Sequence, residues 1–541
     1  MNYRALAAFG ISMALFSVNA HAQNDEEEEE AADTAKSGDA PSGGDATAKA
    51  GASADVKAEL PAPTPAEASA APPAAASQTA DDDTKGTARP PVYGSRDEWA
   101  IVPYGYARFD AIVDSTQSFD DGIQPNLIQR AGTYRGDHRR AIFTARDSRF
   151  GLSVGAPKFQ GIKSSAVVEV DFYGLQISDA KKHDQVVFGP LRIRHAYLRL
   201  ETSVVDVVAG QYFDVFGWGS TFYPATVGYL GVPGEIYHRN PQLRLEKKLH
   251  AGNLEVALAA AAVRPGQRDA AGLPDGQGGI KLSHKGWSGI STGGFGRPSV
   301  VPVAIGVSGL FRHFEVPVFL PEPGSEAQTT NGYGLAAQVL LPVIPAATLE
   351  EKANSLTVTG EFSLGTGIAE MYGGMDGGSR FPIFPNPTGR IPAFSYPQNV
   401  DPGLVTFDSA YRIKTIEWKA FVAGLQYYLP IGNGRVWVSG IYSRVWSNNI
   451  RKLTPQQSYG GIFTKMEYID ANLGVDITPA VALGFSFQTV KQTFGDVSAP
   501  TPIFGASATP GVIGSPVVPG TGGVAAHARN NRAQLSMALF F

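Results

Sequence analysis

The chain has 541 residues, among them 62 glycines, 29 phenylalanines and 20 tyrosines, with no cysteine and a formal net charge of −5. The absence of cysteine excludes disulfides and thiolate chemistry, and nothing after the first 22 residues offers the run of about 18 apolar residues that a membrane helix needs. A membrane crossing by the mature chain therefore requires a closed barrel.

At the start, Arg4 supplies a positive flank, Ala5 to Val18 an apolar core too short to span a bilayer, and Ala20-His21-Ala22 a small-x-small cleavage site. Residues 1–22 are expected to be a secretory signal. Residues 23–98 are Ala, Pro, Asp, Glu, Ser and Gly with almost no large apolar side chain, including the run Glu26 to Glu30. Such a segment cannot bury enough surface to offset the entropy of ordering, so a disordered arm is expected. From Gln23 to Pro90 fifteen acids face five bases, which leaves Pro91 to Phe541 at about +4. The arm is acidic and the body mildly basic. A basic passage concentrates anions.

From Tyr104 onward, strand-length segments alternate with clusters of Gly, Pro, Asn and Asp. In Gly105 to Asp114, Tyr106, Arg108 and Asp110 oppose Ala107, Phe109, Ala111 and Val113, which predicts one water-facing and one apolar face. Arg149, Gly151 and Ser153 follow the same logic, as do Glu169, Asp171 and Tyr173. In Leu191 to Glu201, His195, Tyr197 and Arg199 form the polar row, while Arg192 and Arg194 fall on the apolar row, at the rim of the hydrocarbon band. A strand over Val204 to Gln211 leads to Tyr212 to Asn240, which has no sustained alternation and is rich in Gly and aromatics. Long loops of this kind are uncommon and often functional, and the barrel interior is the nearest surface for its aromatics; an exposed loop packed on its neighbours is the competing reading.

Strands resume at Gln242, Arg244, Glu246 and Lys248, opposed by Leu243, Leu245 and Leu249. Further strands are expected at Leu254 to Val263, Gly279 to His284, Val303 to Phe314, Gly332 to Leu341, Leu356 to Leu364, Ile413 to Leu429, Arg435 to Trp446, Phe463 to Val475 and Val481 to Lys491. The stretch Trp287 to Pro302 fits no clear alternation. In the last stretch, Ala533, Leu535, Met537, Leu539 and Phe541 oppose Gln534, Ser536 and Ala538, with Phe540 out of phase; an edge strand of a soluble sandwich is the alternative. The fold class is all-β, an antiparallel transmembrane barrel of about 16 strands over residues 99–541, with short turns at one end and long loops at the other.

The strings Ser148-Arg149-Phe150-Gly151-Leu152, Glu169-Val170-Asp171-Phe172, Arg194-His195-Ala196-Tyr197-Leu198, Ala209-Gly210-Gln211 and Asn240-Pro241-Gln242-Leu243-Arg244, in that order and with a terminal Phe541, resemble the trimeric outer-membrane porins, more closely their DcaP-like branch. The resemblance implies a homotrimer in the bacterial outer membrane, a third outer loop near Tyr212 to Asn240 folded inward, and passage of small anionic solutes such as dicarboxylates. The N-terminal arm departs from that branch, where a coiled coil is expected.

Candidate pore-lining residues are the basic Arg108, Arg149, Arg199, His238, Arg239, Arg244, Lys248 and Arg312 and the acidic Asp110, Glu169, Asp171, Asp214, Glu235 and Glu246. A few charges at a narrow point select ions, and each of these residues could equally be a wall ion pair. The histidines His138, His183, His195, His238, His250, His284, His313 and His527 are scattered with no triad or metal spacing, so neither an enzyme nor a cofactor is expected. Lipid and solute are the expected partners, nucleic acid is not, and the arm is expected in the periplasm. An outer-membrane anchor or adhesin with an incidental pore is the alternative function.

Overall fold

The structure, a computed structural model, describes residues 99–541 except 120, 122–127, 175–190, 229–230, 268–270, 320–322, 374–399, 402, 409, 411, 454–462 and 495–524. The expected signal and acidic arm, residues 1–98, lie outside the described residues. In chain order the strands are β1 (Ala100–Asp114), β2 (Arg140–Thr144), β3 (Arg149–Gly155), β4 (Lys163–Asp171), β5 (Arg192–Glu201), β6 (Asp206–Phe213), β7 (Arg239–Ala251), β8 (Leu254–Val263), β9 (Asp275–Ser291) and β10 (Ser299–Phe319). They continue as β11 (Pro323–Ile344), β12 (Leu356–Thr366), β13 (Val405–Phe407), β14 (Ile413–Thr415), β15 (Glu417–Leu429), β16 (Val436–Trp446), β17 (Phe463–Asp476), β18 (Val481–Phe494) and β19 (His527–Phe540).

Successive wall strands pair antiparallel, and β1 pairs with β19, so the sheet closes on itself. β13 and β14 form a separate hairpin. β2 and β3 both pair with β1, at Asp110–Asp114 and Ala100–Tyr106 respectively, and so occupy one wall position interrupted at residues 145–148. Among the described residues this gives a closed barrel of 16 strands. Both ends of the barrel sequence lie at the rim of short turns, where the backbone of Gly105 exchanges hydrogen bonds with that of Phe541. The opposite rim carries the long connections.

Alternation explains the wall. Phe109, Leu198, Leu245, Phe362, Ile469 and Leu535 are exposed on the outward rows, while Arg108, Asp110, Arg199, Arg244, Glu361, Asp470 and Gln534 are buried on the inward ones. This apolar exterior around a polar interior is the inverse of a soluble protein and suits hydrocarbon outside and water or packed polar chain inside. Phe540 keeps the phase after all: it faces inward and sets its ring edge-on to Tyr106 at 5.5 Å. It belongs to an apolar cluster with Val227, Phe295, Tyr428 and Trp437.

Three sequence expectations change. Arg192 and Arg194 do not lie on the outward row. The register slips between Glu169 and Val170, so that Glu169 opposes His195 while Val170 opposes Ile193; the extra residue of this bulge is Arg194, and both arginines bond to inward carboxylates. Ile413 to Leu429 is two strands, broken at Ile416, whose N–H donates to Leu404 O. The unclear stretch Trp287 to Pro302 contains a second slip, where Pro302 opposes Ser288 but Val303 opposes His284, with a turn from 292 to 298.

Glycines at two inward positions make room for rings. A Cβ on Gly151 would run into the Tyr104 ring, and one on Gly474 into the Trp437 indole. Trp437 is fully buried. Gly474→Val should therefore expel the indole at an overpacking cost of about 1–3 kcal/mol, read as a lower temperature for loss of the compact band on unheated denaturing gels, with Gly440→Val, which meets nothing nearby, as the control. An unchanged transition in both would refute the packing argument.

Candidate pore constriction

The connection between β6 and β7, residues 214–238, is held by inward side chains from across the wall. Gln277 of β9 accepts from Phe216 N at 3.0 Å, Ser308 of β10 from Gly217 N at 2.9 Å, and Asn472 of β17 from Val227 N at 2.8 Å. Thr226 donates to Asp470 at 2.6 Å, and Ser439 and Ser443 of β16 donate to Ala225 O and Pro233 O at 2.7 and 2.6 Å. Arg108 Nη2 donates to Val227 O at 2.6 Å and to Ser536 of β19 at 3.1 Å. Trp218 and Phe222 fit against Ala257, Ala259, Ala304 and Leu340, where small wall residues leave space. Backbone polar groups of an irregular segment need such partners once they leave water.

The last anchor is a carboxyl pair. Glu361 of β12 accepts from Ile236 N at 2.8 Å and from Gln338 Nε2 at 2.9 Å, and Glu235 lies beside it. Both are buried, and no ion pair to either is present among the described residues. Burial first, and then the Glu361 carboxylate, push the Glu235 carboxyl well above its usual value. At the end of the same loop, His238 contacts Asp214 at 3.2 Å. Burial lowers the His238 value, but the Asp214 hydrogen bond and charge outweigh it and the net direction is upward.

The side chains of β3, β4 and β5 and the start of β7 form one basic cluster. Glu169 contacts Arg149 at 3.4 Å and Arg194 at 2.7 Å, and accepts from the Tyr104 hydroxyl at 3.1 Å. Asp171 contacts Arg192 at 2.6 Å and Arg194 at 2.9 Å. Arg239 lies over the rings of Tyr237 and Phe213 at 5.2 and 5.6 Å, with no carboxylate partner among the described residues. Among the described residues four arginines thus stand by Glu169 and Asp171, with the Asp147 carboxylate, bound to Arg108, near Arg149. Arg149 and Arg239 are half-buried, so they remain within reach of water. His195 is buried against Phe213 and Tyr197.

A second basic group continues along β5, β7 and β9. Glu246 contacts Arg199 at 3.0 Å and Arg244 at 2.9 Å. Lys281 donates to Thr221 at 3.4 Å and lies 5.5 Å from the Trp218 ring, and Lys248 is half-buried further along β7.

The other sequence candidates fall elsewhere. Arg108 pairs with Asp110 and Asp147 at 2.8 and 2.7 Å beside the β1–β19 seam. Arg312 is buried between Asp275 and Glu370, behind the apolar cluster that fills the loop end around Phe314, Trp418 and Phe463. Asp214 and Glu235 are buried anchors of the loop. The structure adds Arg192, Arg194, Lys281, Tyr104 and Tyr237, which are not among the sequence candidates. A signal for Arg194 exists in the sequence: two arginines one strand after Glu169 and Asp171 need partners, and only an inward orientation supplies them.

No family model matches the chain, and no curated protein does. Among solved structures, the outer membrane channel DcaP of Acinetobacter baumannii is similar at 17% identity, covering 83% of this chain and 99% of that one, with a TM-score of 0.53. OmpT of Vibrio cholerae in its trimer form has 9% identity, coverage of 82% and 100%, and a TM-score of 0.42. OmpF of Salmonella typhi, in complex with daunomycin, has 9% identity, coverage of 83% and 99%, and a TM-score of 0.41. The likeness to DcaP shows the fold: a closed barrel of the outer-membrane porin type.

Proposed function

We propose that the chain is a passive diffusion porin of a bacterial outer membrane, a homotrimer whose passage favours small anionic solutes such as dicarboxylates. The observation that carries this is the pair Arg149 and Arg239, both within reach of water and the second without a carboxylate partner among the described residues, on a wall already basic at Arg244 and Lys281. Planar guanidinium groups can grip a carboxylate through two parallel hydrogen bonds, and two arginines can engage a solute carrying two carboxylates. Weak, multi-site contact of this kind lets a solute enter and leave. The loop at residues 214–238 is taken as the inward-folded one, since its partners are inward wall residues on β9, β10, β12, β16 and β17. The trimer rests on the family resemblance, and the position of β1 at the short-turn rim supports a periplasmic N-terminal arm.

The test is single-channel recording of the purified protein in a planar bilayer under a salt gradient. Openings in steps of three with a reversal potential on the anion side are the expected result. Cation preference would remove the anionic solutes while leaving the channel. A folded, inserted barrel without conductance would overturn the porin and favour an anchor.

A further inference from the structure

At the long-loop ends of β15 to β19 the outward face of the barrel carries a concentration of charge. The register joins two rows across these strands. In one, Lys419 opposes Trp446, Trp446 opposes Lys465, Lys465 opposes Thr493 and Thr493 opposes His527. In the other, Phe421 opposes Arg444, Arg444 opposes Glu467, Glu467 opposes Lys491 and Lys491 opposes Arg529. The alternate residues Trp418, Val445, Met466, Val490 and Ala528 are buried, which fixes the charged set as outward. Arg444 and Arg529 are exposed, and the lysines are half-exposed. The acids nearby are Glu417 on the same row of β15 and Glu467, which contacts Lys465 at 3.1 Å. Five bases against two acids leave a surplus of three positive charges. Arg444 lies 5.2 Å from the Trp446 ring; Lys419, Lys491 and Arg529 have no ion pair among the described residues.

The last outward positions toward the same rim on β1, β2, β4 and β5 are Val113, Ala141, Val170 and Ile193, so the barrel as such does not require cations here. Below the two rows Tyr442 and Ile469 are exposed on β16 and β17, while β18 and β19 first present Thr489 and Asn531, bonded to each other at 3.0 Å, and then turn apolar at Phe487, Leu535 and Met537. Cations and aromatics sharing one belt above an apolar surface is the profile of a lipid interface. Four strand spacings of about 4.8 Å make the patch roughly 19 Å wide, broader than one phosphate needs.

We propose that this patch binds the phosphorylated headgroup of a lipid in the outer leaflet, with the acyl chains lying on the apolar rows of β17 to β19. The patch presents several cations in one plane, above a surface that hydrocarbon chains can cover, and a free small anion would use only the first of these features. Each cation near an anionic surface is worth about a five-fold change in binding. The inference rests on the outer-membrane placement proposed above and is separable from it, because lipid binding and conductance are read independently.

The test is native mass spectrometry of the full detergent-purified protein with a bis-phosphorylated glucosamine lipid, with the same lipid dephosphorylated, and with inorganic phosphate. The wild-type protein should retain the phosphorylated lipid at least about twenty-five-fold better than the dephosphorylated one, the effect of two or more cations at about five-fold each. Lys491→Gln with Arg529→Gln should reduce that retention roughly twenty-five-fold while conductance is unchanged. Equal retention of both lipids by the wild-type protein, which needs no variant, would overturn the proposal. So would full retention by the double variant, or displacement of the lipid by inorganic phosphate at millimolar concentration.

Discussion

Neutralising Arg149 and Arg239 together, each to glutamine, should abolish anion preference while the channel still opens. Among the described residues the cluster holds four arginines with Glu169 and Asp171, so the double change removes half of its guanidinium charge. Two unit charges about 4 Å apart in water interact by roughly 1 kcal/mol, which is about five-fold in relative permeability per charge and roughly twenty-five-fold for both. The effect should be largest at low salt, where the screening length exceeds the width of a narrow passage. Arg149→Gln alone leaves Glu169 its contact with Arg194 at 2.7 Å, so the wall should survive the change. Reversal potentials in dilute and concentrated potassium chloride would measure this. An anion preference that persists in the double variant would move selectivity to Arg244 and Lys281.

The second large effect should come from pH. Glu235 is protonated in the docked loop well above the pH at which an exposed glutamate ionises, because burial and the neighbouring Glu361 carboxylate disfavour its charge. A carboxyl raised in the docked state supports docking fully below its ordinary value. That support declines as pH rises, and it is gone once pH passes the raised value; every tenfold change in proton affinity between the free and docked loop corresponds to about 1.4 kcal/mol. The groups facing the pair are Gln338, the Ile236 N–H and Tyr372, none of them cationic. Raising the pH from about 5 to about 9, a range that starts just above the ordinary glutamate value, should therefore increase current fluctuations as the Ile236 anchor loosens. Glu235→Gln should flatten the dependence. Identical pH profiles for wild type and Glu235→Gln would refute this.

How much of the barrel and its basic cluster was legible in the sequence depends on whether a residue sits in a regular strand. Alternation located Arg108, Asp110, Glu169 and Arg244 on the inward face, because period two survives wherever one side meets apolar surroundings. It failed at Arg192 and Arg194 because a single bulged residue inverts the phase, and a bulge leaves no mark in composition. The slip between Pro302 and Val303 hid the end of β9 in the same way. For the loop, sequence could supply aromatic content but not partners: Trp218 finds Ala257 and Ala304 only once β8 and β10 stand on either side of β9. The arginine cluster was partly visible as single candidates, yet its pairing with Glu169 and Asp171 needed three strands in register.

The side chain of Arg108 touches the first strand's own Asp110, Val227 O of the loop and Ser536 of the last strand. These contacts belong to parts of the chain as much as 428 residues apart. Long-range pairing is slow because chain entropy is spent before contacts return it. The seam therefore sets an order of events in time. The first strand is made early and must wait, its edge unpaired, until the final residues arrive. With the loop absent, the last zippering step would bury a guanidinium short of one acceptor. Loop placement thus stabilises closure, and a barrel that shuts empty is the less stable product.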